Sequence, residues 1–126
     1  MALSNYLDRK VLEHVLGVQA YTPASNLYLG LFVGNPESGG TEVSQSSYYR
    51  RGISFNVVTD NLATNAADID FIINESFGLI DYVGVFDALT GGNLLISAQT
   101  GSPLNGSDTP QVFLRAGALS IRLNNG

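Results

Sequence analysis

Two apolar stretches, Leu79-Ile-Asp-Tyr-Val-Gly-Val-Phe-Asp87 and Asn93-Leu-Leu-Ile-Ser-Ala98, flank the segment Ala-Leu-Thr-Gly-Gly. Successive side chains on a strand point to opposite faces. Leu79, Asp81, Val83, Val85 and Asp87 therefore fall on one face of the first stretch, and Ile80, Tyr82, Gly84 and Phe86 on the other. Both faces carry large apolar groups, which is the pattern of a central strand covered on both sides. Gly91-Gly92 supplies the positive φ angles that so short a connection needs, so the two stretches are predicted to form a hairpin.

The remaining strands are placed by the same alternation. Leu27, Leu29 and Leu31 alternate with Tyr28, Gly30 and Phe32; Ile53, Phe55 and Val57 with Ser54 and Asn56; Ile69, Phe71 and Ile73 with Asp68 and Asp70. Gln111–Arg115 and Leu119–Leu123 complete the set, with Leu119, Ile121 and Leu123 on one face. Gly34–Gly40, Thr59–Ala67 and Thr100–Pro110 carry loop signals, and Thr41–Tyr49 is polar and weakly patterned, with room for a short edge strand. The core is predicted to include Leu29, Leu31, Phe55, Phe71, Val83, Val85, Leu95 and Ile121.

Residues 1–17 predict the one helix. Leu3, Leu7, Val11 and Val15 recur every four residues, with Leu12 and Leu16 beside them. Ser4 is placed to cap its start and Gly17 its end. Such a helix either covers the open end of a sandwich or docks on a neighbouring chain. Seven or eight closely spaced strands, with connections too short for crossover helices, imply a mainly β chain. The predicted fold is an antiparallel β-sandwich or jelly roll with one N-terminal α-helix. At 126 residues it is expected to be a single domain, 1–126, with the helix in 1–17 and a β-rich body in 18–126.

The chemistry-bearing residues are few. The absence of cysteine excludes disulfides, thiolate metal sites and cysteine nucleophiles. His14 is the one histidine and cannot anchor a zinc site of the usual kind; a surface role is expected. Asp68 and Asp70 share a strand face, which suits either calcium, if a loop adds oxygens, or plain solvent exposure. Asp81 and Asp87 stand roughly 20 Å apart along a strand, too far for a paired-carboxylate hydrolase, and are expected to accept turn hydrogen bonds. No catalytic, cofactor or metal site is assigned, and no enzyme activity is expected.

The net charge of −5 disfavours binding to a nucleic-acid backbone, and no apolar run reaches membrane-spanning length. The N-terminus lacks a basic region followed by an apolar core, so no secretion signal is expected. Only 13% of residues are charged, against about 25% in an average domain. Such a surface suits either a protein packed into an assembly or simply a neutral β domain. Tyr48-Tyr49-Arg50-Arg51 offers base stacking, anion binding or a protein contact; tyrosine and arginine are enriched at interfaces. Leu3, Leu7, Val11, Tyr48, Tyr49 and Arg50 are the expected contacts with neighbouring chains.

Several segments carry a resemblance in a fixed order. They are Met1-Ala-Leu-Ser-Asn-Tyr-Leu7, Lys10-Val-Leu-Glu-His-Val-Leu-Gly17, Ala20-Tyr-Thr, and Leu27-Tyr-Leu-Gly-Leu-Phe32 with Asn35-Pro36. Gly40-Thr-Glu-Val-Ser44, leading to Tyr49 and Arg50, and Phe86-Asp-Ala-Leu-Thr-Gly-Gly-Asn-Leu-Leu95 follow. Together they resemble a family of small tailed-bacteriophage virion proteins, often labelled tail fibre or minor structural proteins. The chain departs from the family pattern at Gln45–Tyr48, at Phe77-Gly78 and in the 101–110 loop. The resemblance implies a non-enzymatic virion building block, assembled in the host cytoplasm and used in several copies. It implies no cofactor, and as partners other copies of itself and virion proteins such as the major capsid protein; a trimer is expected, because the three-fold positions between capsomers of a shell are a natural place for a cementing protein. A capsid decoration or cement protein is the first expectation. The alternatives are a tail-associated fibre or adaptor contacting the host, and a carbohydrate-binding sandwich.

Overall fold

The computed structural model describes residues 2–44, 48–72, 79–105 and 111–122. Strand β1 (Ala2–Leu3) leads into helix α1 (Asn5–Val15), followed by β2 (Leu27–Val33), a 3-10 turn at Pro36–Ser38 and β3 (Thr41–Glu42). Then come β4 (Arg51–Ile53), β5 (Phe55–Thr59), β6 (Leu62–Asn65), β7 (Ile69–Ile72), β8 (Leu79–Phe86), β9 (Leu94–Asn105), β10 (Gln111–Leu114) and β11 (Ser120–Arg122). Among the described residues every pairing is antiparallel. The largest sheet has the order β1-β9-β8-β2-β3, with β4 also on β2; β11-β6-β5 and β10-β7 form smaller sheets. The chain is thus a mainly β, antiparallel sandwich with one helix near its N-terminus among the described residues.

β2 and β8 pair at the centre, with Leu29 opposite Val85, Gly30 opposite Gly84 and Leu31 opposite Val83. One face of this pair sends Leu29, Leu31, Val83 and Val85 into the core, where Ile69 and Phe71 of β7 and Ile53 of β4 meet them. The other face stacks Phe32 on Phe86, ring centroids 5.8 Å apart. Gly84 lies beside that pair: a Cβ there would come within 3.0 Å of Phe86 and 2.9 Å of Leu94. The strand pair is therefore covered on both faces, as the sequence predicts. Of the expected core, Leu29, Leu31, Phe71, Val83, Val85 and Leu95 are buried, while Phe55 and Ile121 pack half-buried against it.

Two register shifts change the face assignment along the hairpin. Between Ile80 and Tyr82 the β8–β9 pairing slips, and Ile80 joins Val83 and Val85 in the core while Leu79 faces out. Between Val85 and Phe86 the partner jumps from Ile96 to Leu94, so the extra residue Leu95 turns inward beside Ile96. A bulge of this kind breaks strict alternation. Gly91 (φ 63°) and Gly92 (φ 73°) occupy the left-handed region in the connecting turn.

Outside the hairpin, three expectations are corrected. Thr59–Ala67 is a strand turn rather than a plain loop, because β5 and β6 pair with Phe55 opposite Asn65. The buried Asn65 side chain takes over the bonding there: Nδ2 donates to the carbonyls of Ala67 and Arg115, and Oδ1 accepts from the Leu119 N–H. β9 continues to Asn105, through the first half of the segment expected to be a loop. Val57 is exposed rather than inward. The expectations for Ile73, Phe77-Gly78, Gln45–Ser47, the 106–110 segment and Leu123 lie outside the described residues.

The helix expected over 1–17 is shorter, Asn5–Val15, with the predicted cap in place: Ser4 Oγ accepts from the Leu7 N–H at 3.1 Å, and Gly17 follows its end at φ 75°. Its N-terminal neighbour was missed: Ala2 and Leu3 pair with Ser97 and Ile96, making β1 an edge strand of the main sheet.

Candidate interaction surfaces

Two regions hold the residues expected at contacts. The first is built around Arg50, which is 8% exposed. Its Nε and Nη2 reach Glu42 Oε2 and Oε1 at 2.9 and 3.0 Å. Its Nη1 donates to the carbonyls of Ala88 and Gly91, both at 2.9 Å. The guanidinium also lies 3.6 Å over the Phe86 ring. One planar fork thus ties β3 to the β8–β9 turn, a geometry that lysine cannot reproduce.

Tyr48 completes the arrangement. β4 and β3 pair with opposite ends of β2, at Leu27–Leu29 and at Phe32–Val33. The Leu31 N–H in the gap donates to the Tyr48 hydroxyl at 3.1 Å, and that hydroxyl donates to Glu42 Oε2 at 2.6 Å. The Tyr48 ring stacks on Phe71. Burial first, and then the hydrogen bond to Glu42, push the Tyr48 pKa well above the ordinary tyrosine value. Tyr48 and Arg50 are thereby turned inward, in contrast to the surface placement expected for them. The reason is local: the Glu42 carboxylate needs donors, and both supply them. Glu42 itself was missed, because nothing in its spacing from Arg50 marks the pair in sequence. Tyr49 stays exposed, with the Arg51 guanidinium 3.7 Å over its ring.

The second region is the helix. Leu3, Tyr6 and Leu7 pack against the core, yet α1 buries no residue fully. Val15 is 72% exposed, Leu16 70% and Leu12 59%, and Val18 beyond the helix is exposed too. Between the helix and the β5–β6–β11 sheet runs an apolar groove of about 280 Å³, with Leu7 and Val11 on one wall and Val57, Leu62 and Ile121 on the other. The structure therefore brings Leu3, Leu7 and Val11 together, along a continuous apolar surface. A signal for it was present in the consecutive pair Val57-Val58, which breaks the alternation of a strand with one buried face.

The acidic residues and the histidine are placed in local bonds. Asp81 Oδ1 accepts from the Gly34 N–H at 2.7 Å, and Asp68 Oδ1 from the Ala116 N–H at 2.8 Å. Asp87 accepts from both the backbone and side-chain nitrogens of Asn93. Burial alone would raise its pKa; the Asn93 donors outweigh that and hold it below the usual carboxylate value. His14 Nδ1 accepts from the Tyr21 N–H. Among the described residues no three His, Cys, Asp or Glu side chains gather in a metal-binding group. Among those residues, too, no helix is long and apolar enough to cross a membrane.

Comparison with known proteins gives one informative result. The family model described as podophage GP4 fiber I protein gp80 matches residues 2–122. No curated protein matches the chain.

Proposed function

This chain belongs to the family of podophage GP4 fiber I protein gp80, and on that premise we propose that it is a fibre component of a phage tail. It acts through protein–protein contacts and catalyses nothing. Its place is the virion, after assembly in the host cytoplasm, and its partners are copies of itself and neighbouring virion proteins. The observation that carries this reading is the extent of the family match, which runs from β1 through β11. A fibre family favours the tail over the capsid-decoration role that the sequence first suggested. The trimer argued from the three-fold positions of a shell loses its premise with it.

Two features support a contact protein. Asp68, Asp81, Asp87 and His14 each accept a backbone N–H from another segment of the chain. Among the described residues, the helix and β5 expose Val11, Leu12, Val15, Leu16, Val57 and Val58, and apolar surfaces of that kind mark interaction sites.

The test is location. Gold-labelled antibody against the protein, applied to purified particles, should decorate the tail at a few copies per virion. Uniform labelling of the capsid shell would overturn the fibre assignment.

A further inference from the structure

We propose that the groove between α1 and β5 receives the outward helix face of a second copy of this chain. The inference deepens the fibre reading by naming the partner and the surface, and it rests on that reading only for the chain being used repeatedly.

Three observations converge on this occupant. The first is that one molecule carries both halves of the contact. The groove is walled by Leu7, Val11, Val57, Leu62 and Ile121. Directly beside it, Leu12 and Leu16 stand clear of the helix, 59% and 70% exposed. An amphipathic helix set in an apolar groove is a recurrent mode of recognition, read out by residues three and four apart. A surface bearing ridge and groove side by side can seat its own copy by rotation alone.

The second is charge. Arg9, Leu12 and Leu16 fall at i, i+3 and i+7, on one face of the helix. The Arg9 side chain is 79% exposed, in a loose 3.6 Å pair with Glu13. Asp60 lies on the lip of the groove and makes no ion pair or side-chain hydrogen bond among the described residues. Seating Leu12 and Leu16 of one copy in the groove of the next carries Arg9 toward that carboxylate.

The third is the strand edge. β5 pairs only with β6 among the described residues, so its outer edge is open there. Natural edges are protected by lysine, proline or a covering element. Phe55-Asn-Val-Val-Thr59 carries neither residue, and Val57 is 79% exposed. A copy lying in the groove covers that valine.

Sedimentation equilibrium on the purified full chain tests the contact, with circular dichroism confirming the fold of each variant. The wild type should self-associate. Leu12→Glu with Leu16→Glu should abolish association with the melting temperature unchanged, since both side chains are exposed. Arg9→Glu and Asp60→Arg should each weaken association by at least about tenfold, because like charges are then juxtaposed. The double variant Arg9→Glu, Asp60→Arg should recover most of that loss, and this recovery identifies the partner as the same chain. A wild type that remains monomeric at about 1 mM, the weak end of the affinity scale, overturns the proposal. So does a double variant no better than either single one. If the helix variants fail to join particles yet self-associate normally, the face serves another virion protein and the proposal also falls. Labelling on the particle judges the fibre reading separately: a protein found only on the capsid shell leaves the solution result standing.

Discussion

Arg50 meets Glu42 in a two-point ion pair, Nε to Oε2 at 2.9 Å and Nη2 to Oε1 at 3.0 Å, inside the fold. The pair fastens the β3 edge to the turn carrying Gly91, and the Phe86 ring floors it. Removing one partner of a fully buried pair costs about 3–5 kcal/mol; Glu42 is 26% exposed and keeps the Tyr48 hydroxyl, so the loss here should be about 2–3 kcal/mol. Arg50→Ala should lose that much in urea unfolding, and Arg50→Lys should recover only part of it. Tyr49→Ala, next in sequence but exposed, should change stability by less than about 1 kcal/mol. Equal losses at the two positions would show that the ion pair contributes little.

Tyr48 makes stability sensitive to alkali. Its pKa in the folded chain is raised, by burial first and then by the bond to Glu42. A raised folded-state value means that this contribution is fully present below about pH 10, where an unfolded tyrosine ionises. It is lost as pH climbs from there toward the folded value. Melting temperature measured from pH 8 to 11 should fall more steeply for the wild type than for Tyr48→Phe, although the variant starts lower. Parallel curves would remove Tyr48 as the cause.

The strand set was legible because alternation is a local property. Leu29, Leu31, Val83 and Val85 were assignable to the core from spacing alone, and the helix was bounded by Ser4 and Gly17. Ile80 and Leu79 were not assignable, because a register shift is set by the partner strand and leaves no mark on the strand itself. The Arg50–Glu42 pair was hidden for a similar reason: a surface arginine and a buried one look alike until the turn at Ala88–Gly91 folds over it. β6 escaped notice because Leu62-Ala-Thr-Asn65 has too little apolar pattern to declare itself; its pairing with β5 and β11 makes it a strand.

Burial separates two residues that the sequence treats alike. Phe71 is 1% exposed and stacks on Tyr48, whereas Val57 is 79% exposed on its edge strand. Phe71→Ala should cost about 3–5 kcal/mol, and Val57→Ala about 0.5 kcal/mol or less. The comparison is made by urea unfolding at micromolar protein, so that association does not contribute. A loss above about 2 kcal/mol at Val57 would mean that β5 is covered within its own chain.

Asn65 carries the bonding of the turn before β11, and its replacement should behave differently with pH. Its side chain satisfies two carbonyls and one N–H at a buried site. Asn65→Ala removes all three bonds; the Arg115 carbonyl keeps the Ala118 N–H, so the main loss is at the half-buried Leu119 N–H, and a buried unsatisfied group costs about 1–3 kcal/mol. Asn65→Asp keeps the acceptor for Leu119 but faces the carbonyls of Ala67 and Arg115 with a carboxyl that must be protonated to donate. Burial and those two oxygens favour its neutral form and raise its folded-state pKa. The sign follows from linkage: its contribution is present below the unfolded value near 3.9 and lost as pH rises through the folded one. The wild type runs the other way at Asp87, whose lowered pKa withdraws stability as pH falls. The gap in melting temperature between wild type and Asn65→Asp should therefore be wide at pH 7 and close progressively toward pH 4. A gap independent of pH would show that the introduced carboxyl finds water instead of the two carbonyls, and that Asn65 acts through its acceptor alone.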